Sequence, residues 1–319
     1  MNEPKLPIAV YYEHPLWFEP LFAELERRGT PHVRVNANHH RYDAGERKPR
    51  YSLFLNRMSS SAYTRGNGQG IFYTRNYLAH LELAGTPVVN GSRAFAIETS
   101  KALQLALIAS LGLDHPRTII INTPEESIPA AREIGFPLIV KPNIGGAGAG
   151  IARYDSIDEL KRAVKENQIS LGIDQTALVQ EFVPPRGGYI TRVETLDRRF
   201  LYAIRVFTQG QSFNLCPAEI CQVEEKVEIS DAACPVEAVK KGLKVEACLP
   251  PDEIVSAVER IALSAEIDVG GVEYIVDDRD GRALFYDINA LSNFVADATN
   301  IVGFDPHERL VDYLERRAF

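Results

Sequence analysis

Two stretches carry residue types whose spacing suits chemistry. In the first, residues 137–150 read Pro-Leu-Ile-Val-Lys-Pro-Asn-Ile-Gly-Gly-Ala-Gly-Ala-Gly, an apolar run that ends at Lys141 and enters a loop of four glycines. Glycine lets backbone approach a ligand closely, and consecutive N–H groups make an anion nest. A lysine at the strand end adds a point charge that suits phosphate. The same residues also read as a flexible turn beside a surface lysine. In the second stretch, two β-rich runs, Gly271 to Asp278 and Arg282 to Asn289, flank Arg279-Asp280-Gly281. A three-residue hairpin loop with glycine last sets Glu273 opposite Asp287, with Cβ atoms roughly 5 Å apart. Asn289, two residues on, shares that face. Two carboxylates so close repel unless something offsets them. A hard divalent cation does so, because two carboxylates and an amide carbonyl are oxygen ligands suited to Mg2+, with phosphate completing the set. The alternative is a solvated acidic face.

Three further groups stand out. Lys101 falls in the first turn of a helix, where a cation opposes the helix dipole unless an anion sits nearby. The polar run 57–70, with Ser59, Ser60, Ser61, Tyr63 and Arg65, follows a strand end, where ligands bind in parallel α/β sheets. His39, His40 and Arg41 read as a solvated loop rather than as metal ligands. The cysteines, Cys216, Cys221, Cys234 and Cys248, share one segment. Their spacing lacks a Cys-x-x-Cys knuckle, so they read as small buried hydrophobes before zinc ligands.

The elements that must position these residues follow from periodicity. Strands at Ile8 to Tyr12, His32 to Val35, Tyr51 to Asn56 and Pro87 to Asn90 alternate with helices at Trp17 to Arg28 and Tyr73 to Leu83. That alternation predicts a small parallel α/β unit over residues 1–91. Residues 92–184 read as two short helices, then an α+β unit holding the glycine loop, with capping boxes at Thr123 to Glu126 and Ser156 to Glu159. Pro184-Pro185-Arg186-Gly187-Gly188 marks a hinge. Residues 185–319 read as a hairpin around Asp197-Arg198-Arg199, an amphipathic helix from Pro251, the acidic hairpin and a final helix over 306–317.

At 319 residues the chain calls for two or three subdomains. A net charge of −8 without a basic run argues against a nucleic-acid partner. No apolar stretch reaches membrane-spanning length, so no membrane partner is expected. Glu13 and His14 interrupt any early signal pattern, and the expected location is cytoplasmic.

In order, Lys101, Lys141 with its glycines, a hinge, Arg205 and a metal-carrying hairpin spell a nucleoside-triphosphate site between two α+β units. Here the sequence resembles the ATP-grasp superfamily, in particular its RimK-like glutamate and amino-acid ligases. The landmarks are Val140-Lys141-Pro142 with its loop, Val179 to Val183, Ala203-Ile204-Arg205, Gly270 to Glu273, Asp287-Ile288-Asn289 and Thr299 to Phe304. The resemblance implies an N-terminal pre-ATP-grasp α/β domain and two α+β subdomains clamping ATP. It implies that Lys101 and Lys141 hold the α- and β-phosphates, and that Gly145, Gly146 and Gly148 close over the β- and γ-phosphates. Glu181, beside Gln180, would accept from the adenine amino group while backbone of Phe182 and Val183 reads the ring. Arg205 would bind the transferred phosphoryl group, and Asn214 would face the same phosphates. Glu273, Asp287 and Asn289 would ligate one or two Mg2+ ions, with Mn2+ as a substitute. Catalysis would rest on Lys141 and Arg205. Substrate would lie across 57–70, 207–221 and 291–298, with Arg57 or Arg65 clamping a carboxylate and Asn293 nearby. The chain departs from the pattern in carrying Asp287 where glutamate is usual and Tyr189 where an acid usually meets ribose. The implied activity is an ATP-dependent carboxylate–amine ligase acting on an amino acid or peptide, in a chain that could form a homo-oligomer. The competing reading is a non-catalytic ATP-binding regulator.

Overall fold

The computed structural model describes residues 6–146, 148–207 and 244–319. Among the described residues, three sheets carry the fold. The first holds β1 (Ile8–Tyr12), β2 (His32–Asn36), β3 (Leu53–Arg57) and β4 (Val88–Val89) in the parallel order β2-β1-β3-β4. Strands β1 and β3 are buried on both faces, as a covered parallel sheet requires. Ala9, Tyr11 and Phe54 pack under α2 (Gly68–Leu83). Ile8, Val10, Leu53 and Leu55 meet α1 (Glu19–Arg28) and the C-terminal helix α9 (Pro306–Ala318). Helix α2 begins before the predicted Tyr73 because its glycines serve packing. A Cβ on Gly68 would lie 3.1 Å from Tyr63 Cβ, and one on Gly70 would lie 3.0 Å from Met58 Cε.

Helices α3 (Ser92–Glu98) and α4 (Lys101–Ser110) follow, and Ser100 caps α4 through the Leu103 N–H. The second sheet is antiparallel, ordered β5-β8-β6-β7 from β5 (Thr118–Ile121), β6 (Leu138–Pro142), β7 (Ala152–Tyr154) and β8 (Ala177–Glu181). Helices α5 (Ser127–Ile134) and α6 (Ile157–Lys165) cover one face. Ser156 caps α6 as predicted. Thr123 makes no cap, because a short 3-10 turn, Pro124–Glu126, precedes α5.

The third sheet is antiparallel in the order β11-β10-β9-β12-β13. Its strands are β9 (Tyr189–Leu196), β10 (Arg199–Phe207), β11 (Val245–Cys248), β12 (Val269–Val276) and β13 (Ala283–Asn289). Val193, Ala203, Val272 and Ile288 pack on α3, α4 and α7 (Asp252–Ala265). The short helix α8 (Ala298–Val302) leads into α9.

The acidic hairpin differs from the predicted one in two ways that cancel. The loop is one residue longer: Asp277 N–H donates to Arg282 O at 2.8 Å, and Val276 pairs with Ala283. A β-bulge between Glu273 and Tyr274 then takes up one residue, and Glu273 still pairs with Asp287 and Gly271 with Asn289.

Candidate active site

Strand alternation gathers one polar face on the third sheet. Arg192 pairs with Glu273, and Glu273 with Asp287, across β9, β12 and β13. Glu194 and Asn289 sit two residues along on the same face. Arg192 donates to Glu194 Oε1 at 2.6 Å, to Glu273 Oε1 at 3.0 Å and to Ser292 Oγ at 3.1 Å. Ser292 Oγ in turn donates to Glu194 Oε2 at 2.5 Å, and Tyr286 donates its hydroxyl to Glu273 Oε2 at 2.7 Å. Asn289 Nδ2 donates to Asp287 Oδ2 at 3.2 Å, and Lys101 Nζ donates to Asp287 Oδ1. Two carboxylates about 5 Å apart repel by about 3 kcal/mol at an intermediate effective dielectric. Arg192 and Lys101 offset that repulsion from opposite sides. Burial raises the Asp287 carboxyl, but Lys101 and then Lys141 overcome it and hold the group below the usual aspartate value. Burial dominates at Glu273 and raises it, with Arg192 opposing and Asp287 adding to the rise.

The second sheet supplies the other side. Lys141, near the end of β6, is 2% exposed and donates to Gln180 Oε1 at 3.0 Å. Asn143 ties this strand end to α4: its Oδ1 accepts from Ala102 N–H at 2.8 Å, and its carbonyl from Lys101 N–H at 3.2 Å. Lys101 is thereby fixed at the start of α4 and aimed at Asp287. The loop glycines pack where side chains would not fit. A Cβ on Gly145 would lie 3.1 Å from Lys101 Cε, and one on Gly146 2.4 Å from Ser61 Cβ. Gly148 has φ +73°, a left-handed value suited to glycine. Lys101, Lys141, Gly145, Glu273, Asp287 and Asn289 thus form one neighbourhood. The donor chemistry of the trio, two carboxylates and an amide, fits a hard divalent cation. Among the described residues no three His, Cys, Asp or Glu side chains group as a metal cluster.

Several of the expected site residues have partners within the protein or lie on another face. Glu181 accepts from Arg117 N–H at 2.8 Å and pairs with Arg279 at 2.9 Å. Gln180, one residue back and so on the other face of β8, is the side chain beside Lys141. Phe182 N–H already donates to Pro137 O at 3.1 Å. Arg205 pairs with Thr191 across β10 and β9, so it lies on the sheet face opposite Arg192 and Asp287. It is half-buried, with its guanidinium 4.8 Å from the Tyr189 ring centroid. Arg65 is held by buried Glu13 at 2.5 Å, by Ser61 Oγ at 3.1 Å and over Trp17 at 4.8 Å. Arg57 is 3% exposed and donates to Ser292 O. Both arginines are engaged within the protein rather than presented to solvent. Asn293 is 7% exposed, and its Oδ1 has no hydrogen-bond partner among the described residues. Asn214, Cys216, Cys221 and Cys234 lie outside the described residues. Cys248 is half-buried in β11, and burial raises its thiol.

Sequence reasoning missed Arg192, Glu194, Glu98 and Ser292. Glu98 accepts from Ser60 Oγ at 3.0 Å and from Ala290 N–H at 2.6 Å, joining the serine loop to the end of β13. The available signal was alternation: Arg192 and Glu194 occupy like-facing positions in a strand otherwise apolar or threonine-rich.

A family model described as carbamoyl-phosphate synthase L chain, ATP binding domain, matches residues 100–186. A probable alpha-L-glutamate ligase of Teredinibacter turnerae is 28% identical over 166 residues, 52% of this chain and 51% of its own length. The RimK domain protein ATP-grasp from Sphaerobacter thermophilus superposes with a TM-score of 0.66 at 18% identity, over 96% of this chain and 98% of that one. The ATP-grasp ligase PsnB, solved with minimal precursor, Mg and ADP, gives 0.64 at 19% identity, over 100% and 99% of the two chains. The chain spans about half or less of the length of the curated relatives it matches. Among the described residues, no helix is long and apolar enough to cross a membrane.

Proposed function

We propose that this chain, which has the ATP-grasp fold, joins a carboxylate to an amine at the expense of ATP, with an amino acid or peptide as substrate. The observation that carries the reading is the convergence of Lys101 and Lys141 on Asp287 of the acidic hairpin. Cations from α4 and β6 meeting carboxylates from β12 and β13 suit a triphosphate bound between the second and third sheets.

A carboxylate is a poor acyl donor because its leaving group would be oxide. Its oxygen attacks the γ-phosphorus, the bond to the β-phosphate oxygen breaks, and ADP departs. The amine nitrogen then attacks the acyl carbon of the mixed anhydride, phosphate leaves, and the nitrogen loses a proton. The protein's part is positioning and charge neutralisation. Lys101 and Lys141 take the phosphates, and Gly145, Gly146 and Gly148 cover them. On the adenine side, Val183 backbone reads the ring, while Gln180 is buried and holds Lys141 in place, its amide spanning Lys141 and Thr118. Arg192 takes the role first given to Arg205, since it is the arginine on the acidic face. Glu273, Asp287 and Asn289 would hold Mg2+, which neutralises phosphate charge when bound. Substrate fits between the serine loop and residues 291–293, where the buried Asn293 Oδ1 has no hydrogen-bond partner among the described residues.

The similarity to proteins named as a glutamate ligase and as an ATP-grasp ligase bound to a precursor supports this chemistry. A regulator that only bound ATP would have less need of an acidic pair set against two lysines. The test measures ADP release from ATP and Mg2+ across a panel of amino acids and peptides, with products read by mass spectrometry. The reading expects one carboxylate and amine pair to stimulate release and give an amide in equal amount. ATP binding without stimulation by any pair favours the regulator.

A further inference from the structure

Among the described residues, β13 is the last strand of the third sheet, and it carries Asp287 and Asn289. The outer edge of such a strand leaves N–H and C=O groups that need partners. Side chains of α3 and α4 supply them here. Gln104, 1% exposed, accepts from Ile288 N–H at 3.1 Å and donates to Ile288 O at 2.8 Å, so its amide bonds the strand as a neighbouring peptide group would. A second donation, to Ile97 O at 3.0 Å, fixes that amide from behind. Glu98 Oε2 accepts from Ala290 N–H at 2.6 Å and from Leu291 N–H at 3.2 Å, while its Oε1 accepts from Ser60 Oγ at 3.0 Å. Lys101, between the two in sequence, donates to Asp287.

The bulge in the hairpin gives these bonds a task. Glu273 pairs with Asp287 but Tyr274 pairs with Phe285, so Tyr286 is the extra residue. A strand that absorbs one residue has a competing register in which it does not, and a shift of one residue turns every side chain to the other face. Asp287 and Asn289 would then enter the apolar layer against α4, where Ile288 now packs, and Ile288 would face Glu273. Ile288 alternates with the two polar residues. Bonds to its backbone and to that of Ala290 therefore select the register in which Asp287 and Asn289 share a face with Glu273.

We infer that Gln104 and Glu98 are positioning residues for the cation: they hold β13 in register beyond the bulge and keep Asp287 and Asn289 turned to Glu273. Neither side chain touches the cation itself. The inference rests on the reading of Glu273, Asp287 and Asn289 as the Mg2+ site of the nucleotide.

The test is calorimetric binding of the β,γ-imido analogue of ATP to the full chain, with and without Mg2+. The readout is the factor by which Mg2+ strengthens binding. Residues that orient metal ligands are commonly worth tenfold or more in metal affinity, so Glu98→Ala and Gln104→Ala cut that factor about tenfold or more and leave the metal-free affinity unchanged. Glu98→Gln restores the factor, because its amide oxygen still accepts from Ala290 and Leu291 and its amide nitrogen donates to Ser60 Oγ. Arg28→Ala breaks the ion pairs with Glu24 and Asp312 between α1 and α9. It lowers the unfolding temperature and leaves the Mg2+ factor as in wild type. Should an alanine variant fail to fold, Glu98→Asp reads the same quantity: one methylene shorter, it cannot reach Ser60 and Ala290 together, and it loses part of the factor. A full Mg2+ factor in every folded variant of Glu98 and Gln104 overturns the inference and leaves the nucleotide site standing. An equal loss in Arg28→Ala does the same, as does a loss in Glu98→Gln as deep as in Glu98→Ala. A wild type that binds the analogue without any help from Mg2+ overturns the metal reading and the inference with it.

Discussion

Arg192 is gripped by Glu194, Glu273 and Ser292, so its guanidinium has one orientation before any ligand arrives. Preorganised charge costs no reorganisation at the moment of reaction. Arg192→Ala should lower the rate of ADP formation by about 100-fold or more, whereas Arg205→Ala should change it by less than about fivefold. Steady-state kinetics of the two variants side by side check this, and equal losses would return the role to Arg205. A structural residue makes the contrast. Asn90 accepts from the Asp268 and Val269 N–H groups and donates to the Val269 and Ala290 carbonyls, joining the first sheet to the third. Asn90→Ala strands those buried groups and should cost about 3 kcal/mol in a denaturant melt. That Lys101 and Lys141 lie beside Glu273, Asp287 and Asn289 was legible from residue type and order. Arg192 was not, because its partners lie on three strands and only the sheet order brings them together. Glu181 shows the converse: it lies in the expected segment but on the other side of its strand from Gln180 and Lys141, and only the register reveals that.

Among the elements, the glycine loop and the acidic hairpin set the geometry. Gly146 packs onto Ser61, and a Cβ there would lie 2.8 Å from Ser61 Cα as well as 2.4 Å from its Cβ. Gly146→Ala should keep the loop off the serine loop and cut turnover about tenfold or more with little change in stability. Adding Ser61→Gly should recover part of the loss, since Ser61 Cα remains; no recovery in a double-mutant cycle would deny the contact. At its tip the hairpin clasps the hinge. Asp278 N–H donates to Pro184 O at 2.9 Å, and Arg279 bridges buried Asp277, at 2.6 Å, to Glu181. The bonded Arg279 guanidinium, against the opposing effect of burial, holds Asp277 below the usual aspartate value. A lowered folded value means the stabilisation is full above the unfolded aspartate value and is lost as pH falls through the folded one. Arg279→Ala should therefore cost about 1 kcal/mol near pH 7, and the gap to wild type should close in acid. Unfolding curves at several pH values read it; a gap constant with pH would contradict the pairing. The hairpin also shows what spacing alone delivers. Its pairing at Glu273 and Asp287 was right although the loop was misjudged, because the bulge that restores the register leaves no mark in composition.

Across the whole molecule, the three sheets divide the work. The parallel sheet brings the serine loop, the second sheet Lys141 and its glycines, and the third the carboxylates. This division was legible from alternating strand and helix signals. The long-range packing was not: α3 and α4 lie against the third sheet although they precede the second in sequence. That placement is what brings Lys101 to Asp287. The most direct measurement is calorimetric binding of a non-hydrolysable ATP analogue, with and without Mg2+, to wild type, Asp287→Ala and Lys141→Met. The account predicts binding that Mg2+ strengthens in wild type, a lost Mg2+ dependence in Asp287→Ala, and affinity at least about tenfold weaker in Lys141→Met. Wild-type affinity and Mg2+ dependence in both variants would mean that the nucleotide does not bind between these sheets.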